Sequence, residues 1–133
     1  MEFTFLRPWA PQLLSVLRIM AALLYMAHGT SKLLAFPAGP MNPPLMSLPG
    51  ISGVLEIVLG VLLALGLFTR PVAFIASGHM AFAYFLGHAP KSFFPVLNGG
   101  DAAILFCFLF LYIAAVGPGP WSLDAQRRRE VAV

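Results

Sequence analysis

The chain has 133 residues, of which 59% are hydrophobic and 10% are charged. Soluble domains carry about 25% charged residues, so this chain cannot cover a water-facing surface, and its solvent is the lipid bilayer. The net charge of +3 comes largely from Arg127, Arg128 and Arg129, a basic run that is typical of a segment near anionic lipid and not of nucleic-acid binding. The single cysteine, Cys107, excludes an intrachain disulfide and a cysteine-based metal site.

Four apolar segments predict four membrane-spanning helices. They cover residues of about 12–34, 51–68, 71–87 and 101–116. Each approaches the ~20 residues that cross a ~30 Å hydrocarbon core, the last two being somewhat short. Helices satisfy their own backbone hydrogen bonds, which lipid requires. We therefore predict an all-α integral membrane four-helix bundle, with residues 1–133 in a single domain.

The connections set the topology. Residues 36–50 hold five prolines and no charge, which predicts a non-helical loop, and Thr69-Arg70-Pro71 predicts a tight turn between spans two and three. With four spans, both termini share a side with Arg70. That side collects Arg7, Arg70 and the run 127–129, whereas the other holds only Lys32 and Lys91. The positive-inside rule therefore predicts that both termini are cytoplasmic.

Seven ionisable side chains lie inside the predicted spans or at their rims, and this feature bears most directly on function. Hydrocarbon penalises such groups by roughly 2.5–3.5 kcal/mol each on insertion scales, so they must pair with one another or with polar groups. They are Arg18, His28, Lys32, Glu56, His79, His88 and Asp101.

The predicted topology sorts these residues by depth. Arg18 falls in the inner half of the membrane and His79 near its middle. The other five reach one depth near the outer surface, and all four helices contribute to them. We therefore predict a polar pocket that opens outward, formed by His28, Lys32, Glu56, His88 and Asp101.

Several of these residues have a structural explanation that the sequence leaves open. Lys32 at a helix end is equally able to extend to the headgroups. Asp101 suits the first turn of a helix, where the dipole favours an acid. Arg18 is as consistent with a structural ion pair, for example with Glu56, as with a catalytic role. Glu56 lies too deep to reach the headgroups easily and is the strongest functional candidate.

The three histidines are open to similar alternatives. His79 is equally consistent with packing and with ligand contact, and His88 with a solvated loop. Their side chains suit a metal or a haem, but no HExxH or equivalent spacing predicts either site. We therefore assign no metal ligands and leave any bound cofactor unknown.

Several strings of residues, taken in order from about Leu14 to Asp124, resemble motifs of the DoxX family of small membrane proteins. One position departs from that pattern: Asp101 stands where the family usually shows glutamate, so its carboxylate reaches one methylene less far. The strings are HGTSK at 28–32, GVLE at 53–56 followed by Gly60, GLFTRP at 66–71, HAP at 88–90, FFP at 93–95, NGGD at 98–101 and GPGPWSLD at 117–124.

The resemblance implies a four-helix, multi-pass protein of the bacterial inner membrane. It also implies an association with thiosulfate:quinone oxidoreductases, with a membrane oxidoreductase complex that protects against oxidative stress, or with resistance to quinones or catechols. The expected ligand is thus a quinone-type or other small redox-active molecule. Because the chain shows no redox centre of its own, electrons would come from a redox partner protein or a bound cofactor.

On this hypothesis the chain is an oxidoreductase subunit or accessory protein, and Glu56 and Asp101 are its catalytic candidates, exchanging protons. The ligand-binding candidates are His28, Lys32, His79, His88 and Arg18. The alternative is a non-enzymatic membrane scaffold that recruits soluble redox or stress-response partners. A homo-oligomer is compatible with either function.

Overall fold

The structure, a computed structural model, describes residues 3–132. That part of the chain contains six α-helices and no strand, which confirms the predicted all-α class. A 3₁₀ turn, Arg7–Trp9, precedes the first helix. The helices are α1 (Ala10–Leu34), α2 (Leu48–Leu65), α3 (Thr69–Ala83), α4 (Pro95–Asn98), α5 (Asp101–Val116) and α6 (Leu123–Val131).

Three helical segments are long and apolar enough to cross a membrane. They are Arg7–Leu34, Leu48–Leu65 and Thr69–Lys91, the last because α3 continues through a π-helical turn, Tyr84–His88, and a 3₁₀ turn, Ala89–Lys91. The fourth long helix, α5, is equally apolar but has 16 residues, a length of about 24 Å at ~1.5 Å per residue. The chain is therefore an integral membrane protein in contact with lipid.

The four long helices form a bundle of two closely packed pairs. α1 packs along α2, and α3 packs along α5; the pairs meet mainly through α2 and α3, whereas α1 and α5 have few contacts. The core contains Tyr25, Leu63, Phe110 and Ile113, each at most 1% exposed. Large apolar side chains also cover the outside of the bundle, as expected where hydrocarbon is the solvent.

The limits of α2 differ from the predicted span of 51–68. The helix begins at Leu48 because the Ser47 hydroxyl accepts a hydrogen bond from the Gly50 N–H at 3.2 Å, and Pro49 suits a first turn that needs no N–H donor. It ends at Leu65 because Gly66 adopts a left-handed backbone with φ of 68° and caps the last turn. The prediction that residues 36–50 are non-helical was therefore wrong for its last three residues.

Glycines allow α1 and α2 to approach closely. A Cβ atom on Gly29 would lie 2.5 Å from the Gly53 carbonyl oxygen and 2.9 Å from the Glu56 Cβ. A Cβ atom on Gly60 would lie 2.8 Å from the Met26 Cβ. Small residues at such contacts are typical of helix packing in lipid. Here they bring the end of α1 that carries Lys32 against the start of α2.

The opposite end of the bundle, which we call the tail end, is closed by residues 117–131. Arg18 is completely buried there, and its guanidinium donates to the carbonyl oxygens of Leu63 at 2.8 Å, Trp121 at 2.7 Å and Pro118. Leu63 belongs to the last turn of α2, whose carbonyls lack partners within the helix. Arg18 thus joins the end of α2 to the tail.

Two further contacts hold the tail end together. Arg70 donates to the Ala115 carbonyl oxygen at 2.5 Å, in the last turn of α5. The Asp124 carboxylate accepts hydrogen bonds from the N–H groups of Phe68 at 2.9 Å and Thr69 at 2.8 Å, at the start of α3. Burial acts to raise the pKa of Asp124, but the bonds from Thr69 and Phe68 and the charge of Arg127 outweigh it and hold that pKa below its usual value.

Candidate functional site

A cavity of about 160 Å³ lies between the helices at the end of the bundle away from the tail. All four long helical segments contribute to its wall, and Met80, Ala83, Ala103 and Phe106 form much of the apolar part. Three wider grooves of about 570, 680 and 580 Å³ adjoin the tail, and within residues 3–132 their walls contain none of the seven predicted site residues. The polar wall of the cavity consists of Tyr25, His28, Lys32, Ser52, Glu56 and His88.

A buried ion pair forms the centre of the polar wall. The Lys32 Nζ lies 2.6 Å from the Glu56 Oε1. The Glu56 side chain is 2% exposed and the Lys32 side chain 22%. Removing one partner would leave the other charge unpaired in a poorly solvated place. The pair therefore explains how both charges are tolerated in the bundle.

A chain of hydrogen bonds leads from this ion pair into the core. The Ser52 hydroxyl lies 2.9 Å from the Glu56 Oε1 and 2.7 Å from the His79 Nε2. The His79 Nδ1 lies 2.7 Å from the Tyr25 hydroxyl. Ser52 precedes Glu56 by four residues, so the two lie on one face of α2.

Donor and acceptor rules give this chain a direction. An ionised carboxylate only accepts hydrogen bonds, so the Ser52 hydroxyl donates a hydrogen bond to the Glu56 Oε1. Ser52 must then accept from the His79 Nε2–H, which leaves the His79 Nδ1 to accept from the Tyr25 O–H. All the donors of the chain thus point toward the Glu56 Oε1, and the Lys32 ammonium adds another.

The second oxygen of the carboxylate is different. The Glu56 Oε2 is buried and has no hydrogen-bond partner among the described residues. Most buried polar atoms in proteins have a partner, so an exception requires an explanation. Glu56 lines the cavity, and its Oε2 is therefore the atom of the site that most clearly lacks a partner.

His28 and His88 line the cavity and are held in the same way. The His28 Nδ1 lies 2.8 Å from the Leu24 carbonyl oxygen, and the His88 Nδ1 lies 3.1 Å from the Asn98 carbonyl oxygen. A carbonyl oxygen only accepts, so in both rings Nδ1 carries a proton. In the neutral form, Nε2 of each ring is then an acceptor, and within residues 3–132 neither has a hydrogen-bond partner.

Asn98 fixes the position of His88. It is 3% exposed, its amide nitrogen donates to the Ser92 carbonyl oxygen at 3.0 Å and the Tyr84 hydroxyl at 3.2 Å, and its amide oxygen accepts from the Gly100 N–H at 2.8 Å. These contacts order the loop between α3 and α5 and hold the carbonyl that orients the imidazole of His88.

The structure brings together four of the five residues predicted to converge: His28, Lys32, Glu56 and His88. The prediction was wrong for Asp101. Its side chain is exposed, does not line the cavity and has no hydrogen bond or ion pair within the described residues. The reason is rotational, because α5 turns Ala102, Ala103 and Phe106 toward the cavity and Asp101 away from it.

The two deeper residues have different positions. His79 joins the site through its bonds to Ser52 and Tyr25. Arg18 lies at the tail end and does not line the cavity, and its suggested ion pair with Glu56 was wrong. Its guanidinium is instead satisfied by backbone carbonyls, as described above.

Sequence reasoning missed Tyr25, Ser52 and Asn98 as parts of the site. Two of them had a signal: Tyr25 lies seven residues before Lys32 on the same face of α1, and Ser52 lies four residues before Glu56. Among residues 3–132, no three His, Cys, Asp or Glu side chains come close enough together to hold a metal ion.

Comparison with known proteins places this arrangement in a family. The DoxX family model matches residues 13–89, which include every polar residue of the cavity wall. An uncharacterized protein of Haemophilus influenzae is 43% identical over 128 residues, covering 90% of this chain and 93% of the relative. No solved structure matches the chain. The chain therefore belongs to the DoxX family.

Proposed function

We propose that this protein binds one ring of a quinone-type molecule in the cavity, as a subunit or accessory of a membrane oxidoreductase. The observation that carries the proposal is the buried Glu56 carboxylate, which is ion-paired with Lys32 on the cavity wall and has one oxygen without a partner among residues 3–132. Ionisable groups held inside a membrane bundle are costly and are typical of ligand or proton sites.

The size of the cavity supports a single-ring ligand. A volume of about 160 Å³ is close to the roughly 150 Å³ that accommodates benzene in an engineered protein cavity. One six-membered ring would therefore fill it. A prenyl tail attached to such a ring would lie outside the cavity, in lipid.

The polar groups around the cavity suit this chemistry. The Lys32 ammonium would stabilise negative charge on a ring oxygen, and the Glu56 carboxylate would accept a proton from a ring hydroxyl. His28 and His88 would orient the ring by hydrogen bonds. The electrons would pass to or from a partner protein or a bound cofactor, since the chemistry of these side chains supplies none.

The charge distribution supports a location and an orientation. Arg70 and the basic residues 127–129 lie at the tail end, and the positive-inside rule assigns that end to the cytoplasm. We propose that the protein is a multi-pass protein of the bacterial inner membrane, with both termini cytoplasmic and the cavity near the periplasmic surface.

Equilibrium dialysis of the protein in lipid nanodiscs against 2,6-dimethyl-1,4-benzoquinone and its hydroquinone tests the proposal. We expect saturable binding of at least one form. Glu56→Gln should weaken it at least tenfold, because it removes the charge at nearly constant shape. Asp101→Asn is the matched control: it makes the same chemical change outside the cavity and should leave binding unchanged.

A second variant keeps the test decisive if Glu56→Gln does not fold. Ala83→Leu leaves every charge in place but fills the cavity, and it should also abolish binding. Absence of saturable binding of either form to the unaltered protein would refute the proposal. Equal binding by the unaltered protein and Ala83→Leu would refute the cavity as the site.

A further inference from the structure

We infer that the cavity selects the reduced, hydroxyl-bearing form of its ring ligand over the oxidised, carbonyl-bearing form. This inference rests on the proposed function and adds the redox state of the ligand to it. It follows from the hydrogen-bonding groups around the cavity that have no partner in the described part of the chain, since most of these groups are acceptors.

The first of these acceptors is the Glu56 carboxylate. Its Oε1 already accepts from the Lys32 ammonium at 2.6 Å and the Ser52 hydroxyl at 2.9 Å. Its Oε2 is buried and has no partner among the described residues. The hydrogen-bond chain from Tyr25 through His79 and Ser52 directs its donors to Oε1 and supplies none to Oε2. We infer that a hydroxyl of a ligand in the cavity, whose wall includes Glu56, supplies a donor for Oε2.

The next acceptors are the two histidines. Each uses its Nδ1–H on a backbone carbonyl, that of Leu24 for His28 and that of Asn98 for His88. In the neutral ring, Nε2 is then an acceptor. The buried side-chain amide of Asn98 is hydrogen-bonded through both its nitrogen and its oxygen, which keeps the backbone carbonyl of Asn98 in place. This carbonyl accepts from the His88 Nδ1–H and so holds His88 in this tautomer.

The wall of the cavity also holds an ammonium group, that of Lys32. Its ammonium has three N–H groups, one of which is directed at Glu56, so it can donate to a ring oxygen in either redox state. Lys32 therefore does not distinguish a hydroxyl from a carbonyl. The difference between the two forms comes from the acceptors.

A quinone oxygen only accepts hydrogen bonds, whereas a hydroquinone hydroxyl both donates and accepts. A bound quinone would leave the Glu56 Oε2 without a donor, and the lone pairs of its oxygens would face the lone pairs of the protein acceptors. A bound hydroquinone would donate to Oε2 or to a histidine Nε2 while still accepting from Lys32. Sites built to pair with a hydroxyl discriminate strongly against analogues that lack it.

We expect the hydroquinone to bind at least tenfold more tightly than the quinone. Such a preference raises the reduction potential of the bound couple relative to the free couple. For two electrons, a tenfold ratio of affinities corresponds to about 30 mV. The bound ring would therefore be easier to reduce, and harder to oxidise, than the same ring in lipid.

The test compares 2,6-dimethylhydroquinone with 2,6-dimethyl-1,4-benzoquinone by equilibrium dialysis under anaerobic conditions, using the full chain in nanodiscs. The unaltered protein and Asp101→Asn should both show the tenfold preference. Glu56→Gln should lose it, because the amide that replaces the carboxylate offers a donor as well as an acceptor.

The outcomes separate the two proposals. If neither form binds, the proposed function fails. If both bind equally, or the quinone binds more tightly, the redox preference is refuted while the quinone-type site stands. If Glu56→Gln binds and keeps the preference, the assignment to Glu56 is wrong. Should that variant not fold, the two affinities of the unaltered protein still decide the inference.

Discussion

Replacing Arg18 with methionine should detach the tail from the bundle without directly touching the cavity. The guanidinium is 0% exposed and makes three short hydrogen bonds to carbonyl oxygens of Leu63, Pro118 and Trp121. Hydrogen bonds from charged donors contribute about 1.5–3 kcal/mol each. Methionine also removes the cost of burying a charge, so we take the lower end of that range. Three bonds at this lower value give an expected loss of about 4.5 kcal/mol, roughly a two-thousandfold change in the unfolding equilibrium.

Two measurements check this expectation. In a Trp9→Phe background, Trp121 becomes the sole tryptophan, because the chain has two, and its fluorescence reports on the tail during denaturant titration in micelles. Limited trypsin digestion reports on release of the arginine run in α6. Arg18→Met should lower the unfolding midpoint and accelerate cleavage of the tail.

Arg70→Met is the matched control. Arg70 also donates to the last carbonyls of a helix, but it is exposed, so its loss should cost about 1 kcal/mol or less. A change below about 1 kcal/mol in Arg18→Met, with unaltered digestion, would show that the carbonyl contacts are not what stabilises the tail. Loss of ring binding in a stable Arg18→Met protein would return Arg18 to the ligand site.

Three further predictions concern packing, capping and orientation. Gly29→Ala should destabilise the protein by about 1–3 kcal/mol in thermal unfolding, because its Cβ would lie 2.5 Å from a backbone oxygen of α2. Gly78→Ala is the control. A Cβ there has nothing within 4 Å, so this variant should be neutral or slightly stabilising in the same assay. Asp124→Ala should cost about 1 kcal/mol by removing the cap of α3. The carboxyl pKa of Asp124 lies below the usual value. Its contribution to stability is therefore complete above the ordinary aspartate pKa of about 3.9 and is lost as pH falls through its folded pKa. The variant should flatten this acid limb of the curve of stability against pH. In a Cys107→Ser background, an impermeant maleimide applied to intact cells should label Lys91→Cys and not Arg129→Cys.

Each of these three predictions has an outcome that would contradict it. Equal melting temperatures for the two alanine variants would contradict the close approach of α1 and α2. An unchanged acid limb in Asp124→Ala would show that the cap does not control it. Labelling of the tail cysteine in intact cells would reverse the proposed orientation.

The sequence could predict the helices and the depth of the polar groups, because both depend on position along the chain. Hydrophobic runs mark the spans, and the ~1.5 Å rise per residue converts spacing into depth. This conversion was sufficient to predict that Lys32 and Glu56 lie at one depth in the bundle. It was not enough for Asp101, since a helix also turns by about 100° per residue and its rotation depends on packing.

The role of Arg18 had no comparable signal. A buried charge in a membrane suggests an oppositely charged partner, and Glu56 was the natural choice. The actual partners are backbone carbonyls at the end of α2 and in the loop before α6. Every helix end offers such carbonyls whatever its sequence, so no residue type marks the one that will receive an arginine.

The pairing of the four long helices has a consequence for how the protein is made. Lys32 and Glu56 belong to α1 and α2, which are neighbours in the chain and pack closely against each other. This hairpin precedes α3 and α5 in the chain, so it is synthesised first. Its two opposite charges can pair within this hairpin, without a contribution from α3 or α5. His79 and His88 belong to the second hairpin, so the cavity is complete only when the two hairpins pack together.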